Sequence, residues 1–262
     1  MRTALTIAGS DSGAGAGIQA DLKTFAAHGV YGTSAITAVT AQNTVAVTCF
    51  EPMSPELVRA QIDAIMSDIG ADAAKTGMLA SAAIVSTVAD AIADLRIPFV
   101  VVDPVMIAKS GDRLLSDAAI DAMKTLLLPR AFLVTPNIPE AEALSGLSIR
   151  TDDECREAAR RILALGPAAV IIKGGHLPSA DIVDLLYVEG EFTEFRHDRV
   201  GGRHTHGTGC TFAASIAASL ALGRALHEAI PLAQRYIAGA IRNSPDVGQG
   251  HGPMNHFWER SA

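Results

Sequence analysis

The chain has 262 residues, 49% of them hydrophobic, and a formal charge of -7. That is enough apolar material for one large core in a single domain spanning 1–262, and the acidic balance argues against nucleic acid or an acidic membrane surface as partner. Cys49, Cys155 and Cys210 have no metal-ligand spacing and suit a reducing cytoplasm, and neither a signal-peptide pattern nor an uncharged stretch of membrane length is found.

Along the chain, short β-rich runs alternate with longer Ala-rich helical ones. The pattern predicts a strand over 5–8, a helix over 18–27, a strand over 34–39 and a helix over 56–69, whose Ile62, Ile65, Met66 and Ile69 share one side. Next come a strand over 71–75, a helix over 84–95 and the run Phe99-Val100-Val101-Val102, which is apolar without alternation and reads as a central parallel strand covered on both faces. A helix near 118–127, a strand over 132–135, a helix near 155–165 and a strand over 169–173 continue the rhythm. It then changes: 183–187 and 192–197 flank Glu189-Gly190 and predict an antiparallel hairpin at the sheet edge. Helices over 211–222 and 228–241 follow. The expected fold is a three-layer α/β/α sandwich around a mostly parallel sheet.

In such a sheet, ligands sit beyond the carboxyl ends of the strands. Polar residues collect at those ends: Gly9, Ser10 and Asp11 after the first strand, Gln42 and Asn43 after the second, Lys75, Thr76, Gly77 and Met78 after the third. Asp103 and Pro104 follow the fourth, Asn137 and Glu140 the fifth, and Lys173, Gly174, Gly175 and His176 the sixth. Each alone reads as an ordinary capped strand exit. Six in register point to a site.

The glycines of Gly13-Ala14-Gly15-Ala16-Gly17 lie between a strand and a helix, as in a dinucleotide fingerprint, but the spacing is loose and no acid ends the next strand, where Gln42 and Asn43 stand instead. No GKS or GKT sequence offers a P-loop lysine. The glycines fit better as a loop passing close to a small ligand, with Asp21 nearby in the following helix.

The stretch Thr205-His206-Gly207-Thr208-Gly209-Cys210 places a small glycine-rich turn before an apolar helix. A helix start offers unpaired N–H groups and a positive field, so an anion can sit on it while Thr208 caps the helix or donates a hydrogen bond. Cys210 falls in the first turn, where a thiol is expected to have a depressed pKa.

Taken together, Ala8-Gly9-Ser10-Asp11, Ala20-Asp21-Leu22-Lys23-Thr24-Phe25, Thr40-Ala41-Gln42-Asn43-Thr44, Lys75-Thr76-Gly77-Met78-Leu79, Asp103-Pro104-Val105-Met106, Thr135-Pro136-Asn137-Ile138-Pro139-Glu140, Lys173-Gly174-Gly175-His176 and the HGTGC turn resemble the hydroxymethylpyrimidine and phosphomethylpyrimidine kinases of thiamine synthesis, within the ribokinase-like superfamily. The resemblance spans nearly the whole chain. Ala14 departs from it, standing where the family often has a third consecutive glycine.

The resemblance implies ATP-dependent phosphorylation of 4-amino-5-hydroxymethyl-2-methylpyrimidine to its monophosphate and then its diphosphate. It implies a pyrimidine site of Gly9, Asp21, Gln42, Met78 and Val105, and a phosphate site of Lys173, Thr205, Gly207, Thr208 and Gly209. Asp103, Asn137 and Glu140 would attend Mg2+, partly through water. Lys173, Gly207, Gly209 and Cys210 would act on the transferring phosphoryl, with Cys210 as base, as anion-hole member or as both. A homodimer is also implied. The alternatives are a pyridoxal kinase of the same superfamily and a non-catalytic nucleotide-binding regulator.

Overall fold

A computed structural model describes residues 1–106, 115–174 and 181–260. Among these the strands are β1 (Thr3–Asp11), β2 (Tyr31–Gln42), β3 (Val47–Pro52), β4 (Ala73–Thr76), β5 (Val100–Val102), β6 (Leu133–Val134), β7 (Ala169–Ile172), β8 (Asp181–Val188) and β9 (Glu191–Asp198). They form one sheet in the order β3-β2-β1-β4-β5-β6-β7-β8-β9. Pairing from β2 through β7 is parallel, and β3, β8 and β9 join antiparallel at the two margins.

The helices are α1 (Gly17–Ala27), α2 (Pro55–Asp68), α3 (Ala82–Leu95), α4 (Asp117–Ala122), α5 (Ile138–Ser145), α6 (Asp152–Leu163), α7 (Thr208–Ala221) and α8 (Leu226–Arg242). They cover both faces of the sheet. Val100 and Val102 of β5 pack with Ile62, Ile84 and Val88 on one side, while Val101 between them packs with Ile171, Phe212 and Ile216 on the other. An apolar strand without alternation is thus split between two cores, as expected for a strand buried on both faces. The β8–β9 hairpin turns through Glu189 and Gly190 at φ 52° and 84°, the two positive-φ positions of a primed turn.

Four details differ from the sequence reading. Strand β3 was not expected, because almost all of it is exposed and it carries no buried alternation. The helix predicted near 118–127 is α4 alone, followed by a wider turn over Met123–Leu127 and a tight one at Leu128–Arg130, where Pro129 removes an amide donor. Helix α5 starts directly at the Asn137 cap. Helix α7 begins at Thr208 rather than 211, so the glycine turn belongs to the helix itself.

Beside β1, the chain has gone one way to β2 and β3 and then crosses to β4 on the other side. This reversal leaves a crevice at the carboxyl ends of β1 and β4, the position at which open α/β sheets bind ligands.

Candidate active site

One cavity of about 1050 Å³ opens over those strand ends. It is at the upper end of the range for small-molecule sites, room enough for two ligands end to end. At one end its wall is formed by Gly9, Gln42, Met78 and Val105; in the middle by Asp103, Lys173 and the turn 205–210; at the far end by Asp184, Gln234, Ile237 and Ile241. Gly175 and His176, expected to follow Lys173 on the rim, lie outside the described residues.

Gly9 allows the sulfur of Met78 to close over β1, since a Cβ there would stand 3.3 Å from Met78 Sδ. Gln42, last residue of β2, has its carboxamide beside Thr40 Oγ1 at 3.3 Å and His206 Nε2 at 3.2 Å.

Asp21 does not line the cavity. It is fully buried beneath the floor, where Oδ2 accepts from Thr6 Oγ1 at 2.6 Å and from Lys75 Nζ at 2.9 Å. The side chain that reaches the cavity wall from this pair is Lys75. Burial opposes the Lys75 charge, but the Asp21 carboxylate outweighs it and keeps the ammonium protonated. The helical phase explains the placement: Ile18, Asp21 and Phe25 share the buried stripe of α1.

The middle of the cavity gathers three elements. Asp103 leaves β5 almost completely buried, with Oδ1 3.3 Å from Lys173 Nζ and Oδ2 without a hydrogen-bond partner among the described residues. Lys173 follows β7 and is held protonated: burial disfavours its charge, and Asp103 with Glu140 more than compensates. Asn137 caps α5 and forms a reciprocal box with Glu140, each side chain accepting from the other's backbone N–H at 2.9 Å. The N-x-x-E spacing therefore has a structural role of its own. Burial pushes the Glu140 pKa up to about 7, Lys173 opposing and Asp103 assisting. Among the described residues no three His, Cys, Asp or Glu side chains converge as a ready metal cluster. The unpartnered Asp103 oxygen nevertheless fits one hard cation that keeps water and phosphate oxygens as its other ligands.

Helix α7 points its N-terminus at this acid–base pair. Gly207 sits at φ 82° as the cap, where a Cβ would run into the Gly15 carbonyl, and a Cβ on Gly209 would lie 3.4 Å from Lys173 Nζ. Only glycine lets the two loops touch at this point. Of the two roles expected for Thr208, capping the helix or donating a hydrogen bond, the cap falls to Gly207, and the Thr208 hydroxyl donates to Thr205 O at 2.7 Å, closing the turn. The expectation for Cys210 is also corrected. Burial pushes its thiol up to about 11; Lys75 and the Gly17 N–H lower it, but Asp21 and Asp103 add to the rise. The shift is upward rather than downward, so the neutral thiol prevails near pH 7.

The link between Asp11 and His206 and the place of Asp184 in the site were missed in the sequence. Asp11 accepts N–H bonds from Gly13, Gly15 and Ala16 and lies 2.8 Å from His206 Nε2, tying the first glycine loop to the second. Asp184, buried on β8, accepts from Gly174 N at 3.0 Å and Gln234 Nε2 at 2.8 Å, with His197 Nε2 at 3.4 Å. A lone acid inside the apolar run Val183-Asp184-Leu185 was the signal available for it.

A sequence model of the phosphomethylpyrimidine kinases matches residues 11–255. The chain belongs to the phosphomethylpyrimidine kinase family. It is 49% identical over 255 residues to the hydroxymethylpyrimidine/phosphomethylpyrimidine kinase of Bacillus subtilis, covering 97% of this chain and 94% of that one. A crystal structure of phosphomethylpyrimidine kinase from Clostridium difficile superposes with a TM-score of 0.83 at 42% identity, covering 92% of this chain and 100% of the other. An ADP complex of Bacillus subtilis pyridoxal kinase superposes with a TM-score of 0.92 at 40% identity over 100% of both chains. The fold is ribokinase-like and the protein is a phosphotransferase. No helix among the described residues is long and apolar enough to cross a membrane.

Proposed function

We propose that this kinase transfers the γ-phosphoryl of ATP to 4-amino-5-hydroxymethyl-2-methylpyrimidine and then a second phosphoryl to the product, giving the diphosphate for thiamine synthesis. The observation that carries this reading is the continuity of one cavity from Gln42 and Met78 to the start of α7. A small ring read at one end brings its exocyclic oxygen to the anion site in the middle. The Gln42 amide matches the adjacent donor and acceptor of an aminopyrimidine, while Gly9, Met78 and Val105 give it a close-fitting apolar seat.

In each step the acceptor oxygen forms a bond to the γ-phosphorus as the bond to the ADP oxygen breaks. The loose transition state places charge on the phosphoryl oxygens, which face the N–H groups of Gly209 and Cys210 and the Lys173 ammonium. Gly207 shapes this turn, and Thr205 and Thr208 brace it. In the first step the alcohol gives its proton to an oxygen of the phosphoryl group it receives; the monophosphate oxygen is already ionised in the second. Because the Cys210 thiol is neutral at rest, we assign Cys210 to the anion hole through its backbone N–H rather than to proton removal.

Asp103 would hold Mg2+ directly, and Asn137 with Glu140 would orient its water shell. Bound there, the ion would neutralise charge on the phosphates. On the family resemblance, we also assign the enzyme to the cytoplasm as a homodimer.

Pyridoxal phosphorylation is the second reading, favoured by the likeness to a pyridoxal kinase over the full chain. Coupled ADP release with the pyrimidine alcohol, its monophosphate and pyridoxal separates the two. Replacing Gln42 by Ala should raise the pyrimidine KM by about two- to tenfold and leave that for ATP unchanged.

A further inference from the structure

We propose that His206 is a positioning residue: held by Asp11, it fixes the orientation of the Gln42 carboxamide and so decides which way round an aminopyrimidine is bound. The inference deepens the pyrimidine reading of the site and rests on it.

Asp11 ends β1 almost completely buried. Its Oδ1 accepts from Gly13 N at 2.8 Å, and its Oδ2 accepts from Gly15 N at 3.0 Å and Ala16 N at 2.8 Å, with His206 Nε2 also 2.8 Å away. Burial works to raise its pKa, but these donors and the imidazole hold it below the ordinary value, so the group is a carboxylate. Against a carboxylate oxygen at that distance, Nε2 has to carry the imidazole proton. The ring cannot turn away freely. It is stacked so closely on Gly15 that a Cβ there would strike Cδ2, and the backbone N–H of His206 donates to Gly252 O at 3.3 Å.

This settles what the Gln42 amide has to do. Its nitrogen lies 3.2 Å from the same Nε2, a donor facing a donor. A half-turn about the last side-chain torsion brings Oε1 to that place, where it shares the imidazole proton with Asp11. The nitrogen then faces Thr40 Oγ1, 3.3 Å from the position the oxygen leaves, and donates to it, while the Thr40 proton stays on Ser10 O at 3.0 Å. Every proton in the chain has an acceptor.

The free edge of the amide then presents an acceptor on the His206 side and a donor on the Thr40 side. In 4-amino-5-hydroxymethylpyrimidine, ring nitrogen, amino group and hydroxymethyl group follow one another around the ring. Pairing the amino group with Oε1 and the ring nitrogen with the N–H puts the amino side toward His206. The hydroxymethyl group, one position further on, is thereby turned toward the start of α7, where Cys210 lies four residues after His206. The opposite amide orientation would turn the reacting oxygen away from that helix. A ring without an amino group beside its nitrogen gains nothing from the acceptor, so the same arrangement favours the pyrimidine over pyridoxal.

Two measurements test this. In protein labelled with 15N in its histidine rings, long-range proton–nitrogen spectra should show the His206 proton on Nε2 near neutral pH, the resonance being assigned by its loss in His206→Gln. A proton on Nδ1 alone overturns the proposal. In kinetics, His206→Phe keeps a ring against Gly15 but has no donor, and should raise the KM for the pyrimidine alcohol by about two- to tenfold without changing that for ATP. His206→Gln, whose Nε2–H reaches the same place, should restore most of the loss. Equal KM in wild type and His206→Phe, or equal impairment in both variants, overturns it. If the wild type turns over no pyrimidine, the functional reading fails on its own, and the spectra still decide the tautomer on which the orientation depends.

Discussion

Lys75 Nζ lies 2.9 Å from Asp21 Oδ2, and both side chains are buried, Asp21 beneath the cavity floor and Lys75 reaching its wall. An isolated charge there would be heavily penalised, and each partner removes most of that penalty for the other. Taking away one member of such a pair costs about 3–5 kcal/mol, whereas exchanging both for apolar groups costs little. Asp21→Asn should therefore lower the urea midpoint strongly and leave the pyrimidine KM of the remaining folded enzyme unchanged. The double variant Asp21→Leu with Lys75→Met should regain much of the stability. A large rise in pyrimidine KM with stability intact would return Asp21 to the substrate.

Ala14 occupies the left-handed region at φ 58°, held by its N–H on Asp11 O at 2.9 Å and by Lys23 Nζ on its carbonyl at 2.8 Å. Relief of that conformation by glycine is worth about 1–2 kcal/mol, against about 0.4–1 kcal/mol of added unfolded-state entropy. Ala14→Gly should be neutral to slightly stabilising, and Ala14→Val clearly destabilising, in equilibrium urea unfolding. Valine tolerated as well as glycine would contradict the loop geometry.

Glu140 has its folded-state pKa raised from 4.5 to about 7, chiefly by burial. A raised pKa means that the fold favours the protonated form: this contribution is complete below pH 4.5 and is lost as pH rises through 7. Glu140→Gln cannot lose it. The variant should gain on the wild type by about 1–3 kcal/mol between pH 5 and pH 8. Its activity should nonetheless fall and its half-saturating Mg2+ rise. A stability difference that does not vary with pH would show that Glu140 titrates normally, and unaltered Mg2+ dependence would remove it from the metal's neighbourhood.

Much of this was legible in sequence because strand exits in a parallel sheet align at one edge, so Gly9, Gln42, Asp103 and Lys173 had to meet once the strands were recognised. The flat edge strand β3 gave no buried pattern to read. Asp21 was misplaced through its nearness to the glycines, although its i+3 spacing from Ile18 and i−4 spacing from Phe25 put it on the buried stripe. Cys210 shows a different limit. Its place at a helix start was visible, but the burial and the two carboxylates that reverse the shift come from α1 and β5, far away in the chain. The contact of Asp11 with His206 spans 195 positions and has no local signature.

The neutral thiol of Cys210 leads to a kinetic expectation. Cys210→Ser keeps the backbone N–H and the size of the side chain, so losses should be modest and equal in the two phosphorylation steps. Alkylation by iodoacetamide, read on the peptide containing Cys210, should be slow at pH 7 and climb toward pH 11. A loss of about 10²-fold or more confined to the first step, the signature of general-base catalysis, would restore the thiolate role.

Coupled ADP release with the pyrimidine alcohol, its monophosphate and pyridoxal, run side by side on the purified protein, bears most directly on the central claim. The account predicts turnover of both pyrimidines, with the monophosphate rising and then disappearing as the diphosphate accumulates. Pyridoxal turnover about tenfold more efficient than that of the pyrimidine alcohol would contradict it, because a tenfold preference corresponds to about 1.4 kcal/mol of transition-state binding in favour of the other ring.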